Sequence, residues 1–487
     1  SLLDPDPWSR QSGLAADLHR ELAWCAHLTG DVETAETCLA SLLAQVRTPL
    51  QRAEIRYIAS AQYAAVGRMT DAIDSARRGL AILGVRLPAY PGRAALLTEM
   101  IKARWHLGRR RIEDLINAPI LDDPARIMAL KLLESVNSSA YLTGNRPLFA
   151  LANLKMANIN LRSGHCPESA IAYVFYAMFL AIGGKGERAA AFGTLAVALS
   201  ERLEDVRYRS RVLCVYALGV HHWSHPTRTL TGWFKQAIEA GWRSGDFVSI
   251  GHSALHAVIW DPALDLVTLE RELGIYESVV RRIRYPDALD SIILARRTCL
   301  NFMGRTDHRG TLNGPHFDEA TQVERMRRSH YVSGLARYHY HKAEIGLLYE
   351  DFEGAIRHIR DGDGFFQALA GTPSAARYAL LALLAHAGAY RQMGHWEKGP
   401  ARRRMRREYR RLRRWAIHCP DNFRHLERMA AAELHRIAGR SARASRGYDA
   451  AIEAARQGGW LRDEALANEL AARFHLDGGR IAAGQAY

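Results

Sequence analysis

The sequence predicts an all-α fold, a right-handed α-solenoid of antiparallel helix pairs, on three observations. First, a glycine followed five residues later by an alanine recurs at Gly30 with Ala35 and at Gly67 with Ala72, the two pairs 37 residues apart. Second, a small residue, Ala23 or Ser60, stands seven before each glycine, and Ala26 or Tyr63 stands four before it. Small residues let two helices approach closely, and glycine accepts the left-handed conformation that closes the turn. Third, strand-type alternation is scarce, while apolar residues return at spacings of three and four. The length of 487 residues exceeds the roughly 100–200 of one compact domain, yet no Pro/Ser/Gly-rich stretch divides the chain. A solenoid lengthens without enlarging a central core, because each repeat buries its apolar face against its neighbours.

The spacing resembles the tetratricopeptide helix–turn–helix, and the elements follow in order. The first repeats run from about Leu14 to Leu83. In the second helix of repeat two, Ile73, Ala76, Leu80 and Leu83 share one face, and Gly84 with Pro88 stops the helix. A longer helical stretch is expected from Arg93 to Leu115. Pro119 then breaks the pattern, Asp123 caps the next helix and Pro124 takes its first turn. Helical periodicity resumes through Ala129, Leu132, Leu133 and Val136, with breaks at Gly144–Pro147, Gly164–Pro167 and Gly183–Gly186. Breaks about twenty residues apart suit antiparallel helices joined by short turns. Between Arg296 and Asp318 the pattern weakens into a polar loop, Gly304–Gly314. The expected organisation is therefore a TPR-like half over 1–300, a seam over 301–325 and a second TPR-like half over 326–487. Ala343 and Ala355 reopen the motif, and Gly394, Gly439 with Ala444, and Gly478 with Ala483 continue it. The apolar stretch Tyr378–Tyr390 falls well short of the ~20 residues that span a bilayer and reads as a buried helix. The start at Ser1 and the stop at Tyr487 within a repeat suggest a piece of a longer polypeptide.

Composition bounds the chemistry. With 48% hydrophobic and 24% charged residues the chain is globular. Six scattered cysteines without a CxxC imply a reducing, cytoplasmic setting, with Cys25 and Cys38 as small buried thiols in the two helices of one repeat. The turn Gly183-Gly184-Lys185-Gly186-Glu187 lacks the Ser or Thr that a phosphate loop needs after its lysine. His221, His222 and His225 lack a nearby acidic third ligand, and Pro226 ends their segment, so packing or capping is expected rather than metal binding. His339 and His341 point to different helix faces. No nucleophile elbow, kinase loop or paired-cysteine site appears, and no carboxylate stands out from a solvated helix surface. The sequence assigns no catalytic residue, no cofactor and no metal ligand.

The sharpest electrostatic feature is Arg402 to Arg414, nine arginines against the single Glu408, without which the net charge of +15 would be +7. Met405, Tyr409, Leu412 and Trp415 fall at spacings of four, three and three, so the segment is an amphipathic helix. Its charged face, Arg402, Arg403, Arg406, Arg407, Arg410, Arg411, Arg413 and Arg414, reads in two ways. It is a surface for an anionic partner (nucleic acid, acidic protein or membrane surface) or simply a solvated face.

Several strings occur in a set order: Leu83-Gly84-Val85 with Leu87-Pro88; Ile112-Glu113-Asp114-Leu115 with Pro119 and Asp123-Pro124; His222-Trp223 with Pro226; Gly245-Asp246; Met303-Gly304-Arg305-Thr306 with Phe317-Asp318-Glu319; and Ala467-Asn468-Glu469-Leu470-Ala471-Ala472-Arg473-Phe474. Together they resemble the helical-repeat region of very large bacterial multi-domain signalling proteins. In these, a serine/threonine-kinase-like domain and an AAA- or STAND-type predicted ATPase precede the repeats, and a GAF domain and often a sensor histidine kinase follow. The resemblance covers nearly the whole chain, from Trp8 in the opening helix onward; Ser169, where the repeat expects alanine, departs from the pattern. It implies a non-catalytic coupling arm or scaffold for protein partners or flanking domains, with ATP bound only in those domains. A module binding an anionic partner through Arg402–Arg414 and the repeat arm of an ATPase-type transcriptional activator are the alternatives.

Overall fold

A computed structural model describes Trp8 and residues 12–487, apart from the side chain of Leu28; Ser1 lies outside the described residues. Among the described residues there are 23 α-helices and no strand, which gives the all-α fold the periodicity predicts. The chain divides into two compact units, Ser1–Tyr176 and Ala177–Tyr487, and the 301–325 segment lies inside the second.

The first unit comprises α1 (Ser12–Thr29), α2 (Val32–Gln45), α3 (Pro49–Ala65), α4 (Met69–Ile82), α5 (Arg93–Leu107), α6 (Pro124–Leu142), α7 (Arg146–Ser163) and the start of α8 (Glu168–Ile182). The marked small residues are where helices touch. Ala23 and Ala72 are wholly buried, and the Ser60 hydroxyl bonds the Ala72 carbonyl at 2.7 Å. Gly30 and Gly67 close their turns at φ of +84° and +79°. Asp123 caps α6 through the backbone N–H groups of Ala125 and Arg126. The stretch from Arg93 to Leu115 is shorter than expected: α5 ends at Leu107, where Gly108 turns to positive φ, and 113–117 forms a 3-10 turn. Ser169 has a physical reason to replace alanine, since its hydroxyl accepts from the Cys166 N–H at 2.9 Å and donates to Asn160 Oδ1 at 2.5 Å.

The second unit continues with α9 (Gly186–Arg202), α10 (Arg209–Gly219), α11 (Leu230–Ser244), α12 (Phe247–Ile259), α13 (Leu266–Ile283), α14 (Pro286–Phe302), α15 (Glu319–Arg328), α16 (Val332–Leu348), α17 (Phe352–Gly362), α18 (Ser374–Ala389), α19 (His395–His418), α20 (Pro420–Ile437), α21 (Ser441–Gln457), α22 (Leu461–Asp477) and α23 (Ile481–Gln485). The apolar stretch from Tyr378 lies in α18, which is buried along nearly its whole length. The polar loop between α14 and α15 is tied down. Buried Arg297 donates to the carbonyls of Leu312 and Asn313, Asn301 donates to those of Arg309 and Thr311, and Glu319 accepts from the Leu312 N–H. Its polarity serves backbone groups that no helix satisfies.

The late helices of this unit return to its early ones. Asn422, at the start of α20, accepts from the Thr227 N–H at 2.9 Å and donates to the carbonyls of His222 and His225 at 2.7 and 2.8 Å. Trp223 packs against Trp415 and Phe423 and donates its indole N–H to the Gly371 carbonyl. Further along, the Leu461 N–H bonds the Pro262 carbonyl at 3.1 Å. The second unit is thus closed on itself.

Candidate functional site

The arginine segment is helical throughout, inside α19. Glu397 caps its first turn by accepting from the Gly394 N–H. Ala401, Met405 and Leu412 are buried, and Tyr409 and Trp415 pack against the same core, so the apolar stripe points inward as its spacing requires. Glu408 is buried beneath the charged face and holds Arg407 at 2.9 Å and Arg411 at 2.7 Å. Arg404, the one arginine of the first helical turns outside the predicted set, grips Asp363 with two bonds of 2.6 and 2.8 Å. Burial pushes the Asp363 carboxyl up, but its bonds from Arg404 and Tyr378 outweigh that and hold it below the usual carboxylate range. Arg402 lies over the Tyr390 ring and Arg411 over Trp415.

The remaining predicted residues are brought together without a counter-charge. Arg403, Arg406, Arg410, Arg413 and Arg414 are exposed, and none has an ion pair among the described residues. Steps of three and four place them along one side of the helix, with neighbouring Cβ atoms roughly 5–6 Å apart. Each such like-charge neighbour costs a few tenths of a kcal/mol, which an acidic partner would reverse.

The expectation that carboxylates are solvated is corrected by the interior of the second unit. Asp463 on α22 is buried between Arg377, which grips it directly, and His425 Nε2 at 2.9 Å. Arg377 also faces Glu344 at 3.8 Å. Burial pushes the Asp463 carboxyl up, but the Arg377 charge and the His425 bond hold it far below the ordinary range. Similarly, Glu433 takes both Tyr448 and Arg436. Beside the Asp463 group lies a cavity of about 80 Å³ whose walls come from α12, α13, α14, α16, α18 and α22. No local motif marks these residues. Glu344, Arg377 and Asp463 each look like ordinary helix-surface charges, and only their three-dimensional meeting distinguishes them.

His221 and His222 are buried, whereas His225 is exposed. His221 bonds Tyr216 and Thr229 and stacks on His225 at 4.3 Å, within and just after a 3-10 turn rather than an α-helix. Burial pushes His222 down to about 3. His339 lies on α16 with its Nδ1 3.2 Å from that of His358, a meeting that the spacing of His339 and His341 did not reveal. Among the described residues no group of three or more His, Cys, Asp or Glu is placed to hold a metal. Cys38 is buried as expected, whereas Cys25 is exposed, because it falls on the outer side of α1. The Gly183–Gly186 turn joins α8 to α9. Compared with known proteins, the chain matches no family model, and no curated sequence is significantly similar to it.

Proposed function

We propose that the chain is a helical-repeat scaffold without chemistry of its own, coupling protein partners or flanking domains of the same chain through the arginine face of α19. The observation that carries this reading is the row Arg403, Arg406, Arg410, Arg413 and Arg414, cations without an internal carboxylate on a helix whose other side is fixed in the core. Its complement is an acidic protein segment, because a fixed helix presenting evenly spaced guanidinium groups suits carboxylate side chains, which arginine binds in a bidentate fork. The sequence resemblance supports placing the scaffold between ATPase and kinase modules of a cytoplasmic signalling protein, with ATP bound in those modules. Among the described residues no helix is long and apolar enough to cross a membrane.

The test is fluorescence anisotropy of a labelled acidic peptide and of a labelled single-stranded DNA, each titrated with the chain over a range of salt. The peptide is expected to bind. The variant R403E/R406E/R410E/R413E is expected to weaken it by about tenfold or more while melting no lower than the wild type, since these side chains have no ion pair among the described residues and their mutual repulsion is removed. Equal binding by the variant contradicts the reading. Preferential DNA binding, with affinity falling linearly on a log–log salt plot, replaces the protein partner by nucleic acid.

A further inference from the structure

The cavity of the second unit carries a surplus of donors. Arg337 on α16 lines it and is only 8% exposed. No carboxylate lies within ion-pair reach of Arg337 among the described residues, and its Nε has no hydrogen-bond partner. Among the described residues its one contact of this kind is from a terminal nitrogen to His256 Nε2 at 3.3 Å. The other nitrogen of that ring, Nδ1, receives the indole N–H of Trp260 at 2.9 Å. Burial, and then the Arg337 charge, push His256 well below the usual imidazole range, so the ring is neutral. A neutral imidazole has one N–H and one lone pair. Two donors approach it, so whichever nitrogen holds the proton, one donor faces another. An acceptor is missing from this wall.

The charges of the lining agree. Arg337, Arg377 and Arg462 stand against Glu344 and Asp463, which leaves one cation in surplus. Arg377 is fully engaged by the two carboxylates. Arg462 is partly exposed, where water screens it, but Arg337 is not. A buried cation without a partner is strongly unfavourable. The space beside it, about 80 Å³, exceeds the roughly 10–15 Å³ that one water needs. Leu255, Leu269, Leu273, Ala295 and Phe302 give the same lining its apolar part. A bare inorganic anion satisfies the arginine and leaves that part wet, whereas a carboxylate with a short hydrocarbon body satisfies both.

We infer that this cavity binds a small organic monocarboxylate, its two oxygens on the Arg337 guanidinium and its apolar body against Leu273, Ala295 and Phe302. The site is separate from the arginine face of α19 and stands or falls independently of it.

The experiment is isothermal titration and thermal shift of the whole chain with acetate, butyrate, benzoate, butyramide, chloride and inorganic phosphate. Butyrate or benzoate is expected to bind and raise the melting temperature, acetate to bind more weakly, and the uncharged amide not at all. Arg337→Met is expected to lose about tenfold or more in affinity and to melt no lower than the wild type without ligand, because it removes an unpaired buried charge. Ala295→Leu, which keeps the arginine and takes up space at an apolar lining position, is expected to reject butyrate and benzoate while sparing acetate, and it serves if Arg337→Met does not fold. The inference is overturned if no carboxylate binds at about 10 mM, if Arg337→Met or Ala295→Leu binds like the wild type, or if chloride or phosphate does as well as butyrate.

Discussion

Asp463→Ala is expected to lower the stability of the second unit by about 3–5 kcal/mol, the range for removing one partner of a buried ion pair. The substitution leaves the Arg377 guanidinium, 17% exposed, with Glu344 at 3.8 Å as its remaining carboxylate. It also removes the acceptor of His425, over which Trp460 stacks at 4.7 Å. Urea unfolding followed by tryptophan fluorescence measures this, because all tryptophans but Trp8, Trp24 and Trp105 belong to the second unit. The double variant R377L/D463L is expected to lose less than the single one, since it removes the Arg377 charge together with Asp463 and leaves Glu344 facing His341 at 3.7 Å. The pH dependence has a definite sign. The Asp463 carboxyl is held below its ordinary range in the folded chain, so its contribution is fully present above the unfolded value of about 3.9 and is lost as the pH falls below that. The gap between wild type and Asp463→Ala therefore narrows from about pH 4 downward.

The second large effect is expected at Asn422. Its side chain uses its oxygen on the Thr227 N–H and both amide hydrogens on the His222 and His225 carbonyls. Asn422→Ala leaves these backbone groups without their partner, and at about 1–3 kcal/mol for each buried unsatisfied group the expected loss is about 3 kcal/mol or more. Asn422→Asp keeps the acceptor but presents a carboxylate to two carbonyl oxygens, so it is expected to be at least as damaging. Thermal melts of the two variants beside the wild type give the order. A loss below about 0.5 kcal/mol, the level of an ordinary surface substitution, contradicts the role assigned to this side chain.

What the sequence made legible is what local periodicity can encode. The Gly30 and Gly67 turns, the cap at Asp123, the buried helix around Tyr378–Tyr390 and the inward stripe Met405–Leu412 all follow from spacings within one or two helices. So does the exposed arginine row, because an apolar stripe fixes which side of a helix faces out. The closure of the second unit was not legible. Thr227 and Asn422 stand 195 residues apart, and an asparagine at a helix start reads only as a cap. Buried charge was invisible for the same reason: Asp463 lies 86 residues from Arg377, and its burial depends on helices that neither residue belongs to. The end of α5 at Gly108 shows the opposite limit, where a single glycine overrode a helical pattern that otherwise ran on to Leu115.

Closure of the second unit brings together the walls of the cavity and holds α19 by its inner face while its arginines point outward. Residue-resolved hydrogen exchange of the whole chain at the Thr227 and Leu461 amides tests it most directly. The Thr227 N–H is bonded to the Asn422 side chain, and the Leu461 N–H is shared between the Pro262 carbonyl at 3.1 Å and the Gly459 carbonyl at 3.0 Å. Both are expected to exchange slowly, with protection approaching that of the core helices, and Asn422→Ala is expected to release Thr227 first. Exchange of both amides at the rate of an exposed loop in the wild-type chain would mean that the ends of the second unit do not meet, and would contradict the account.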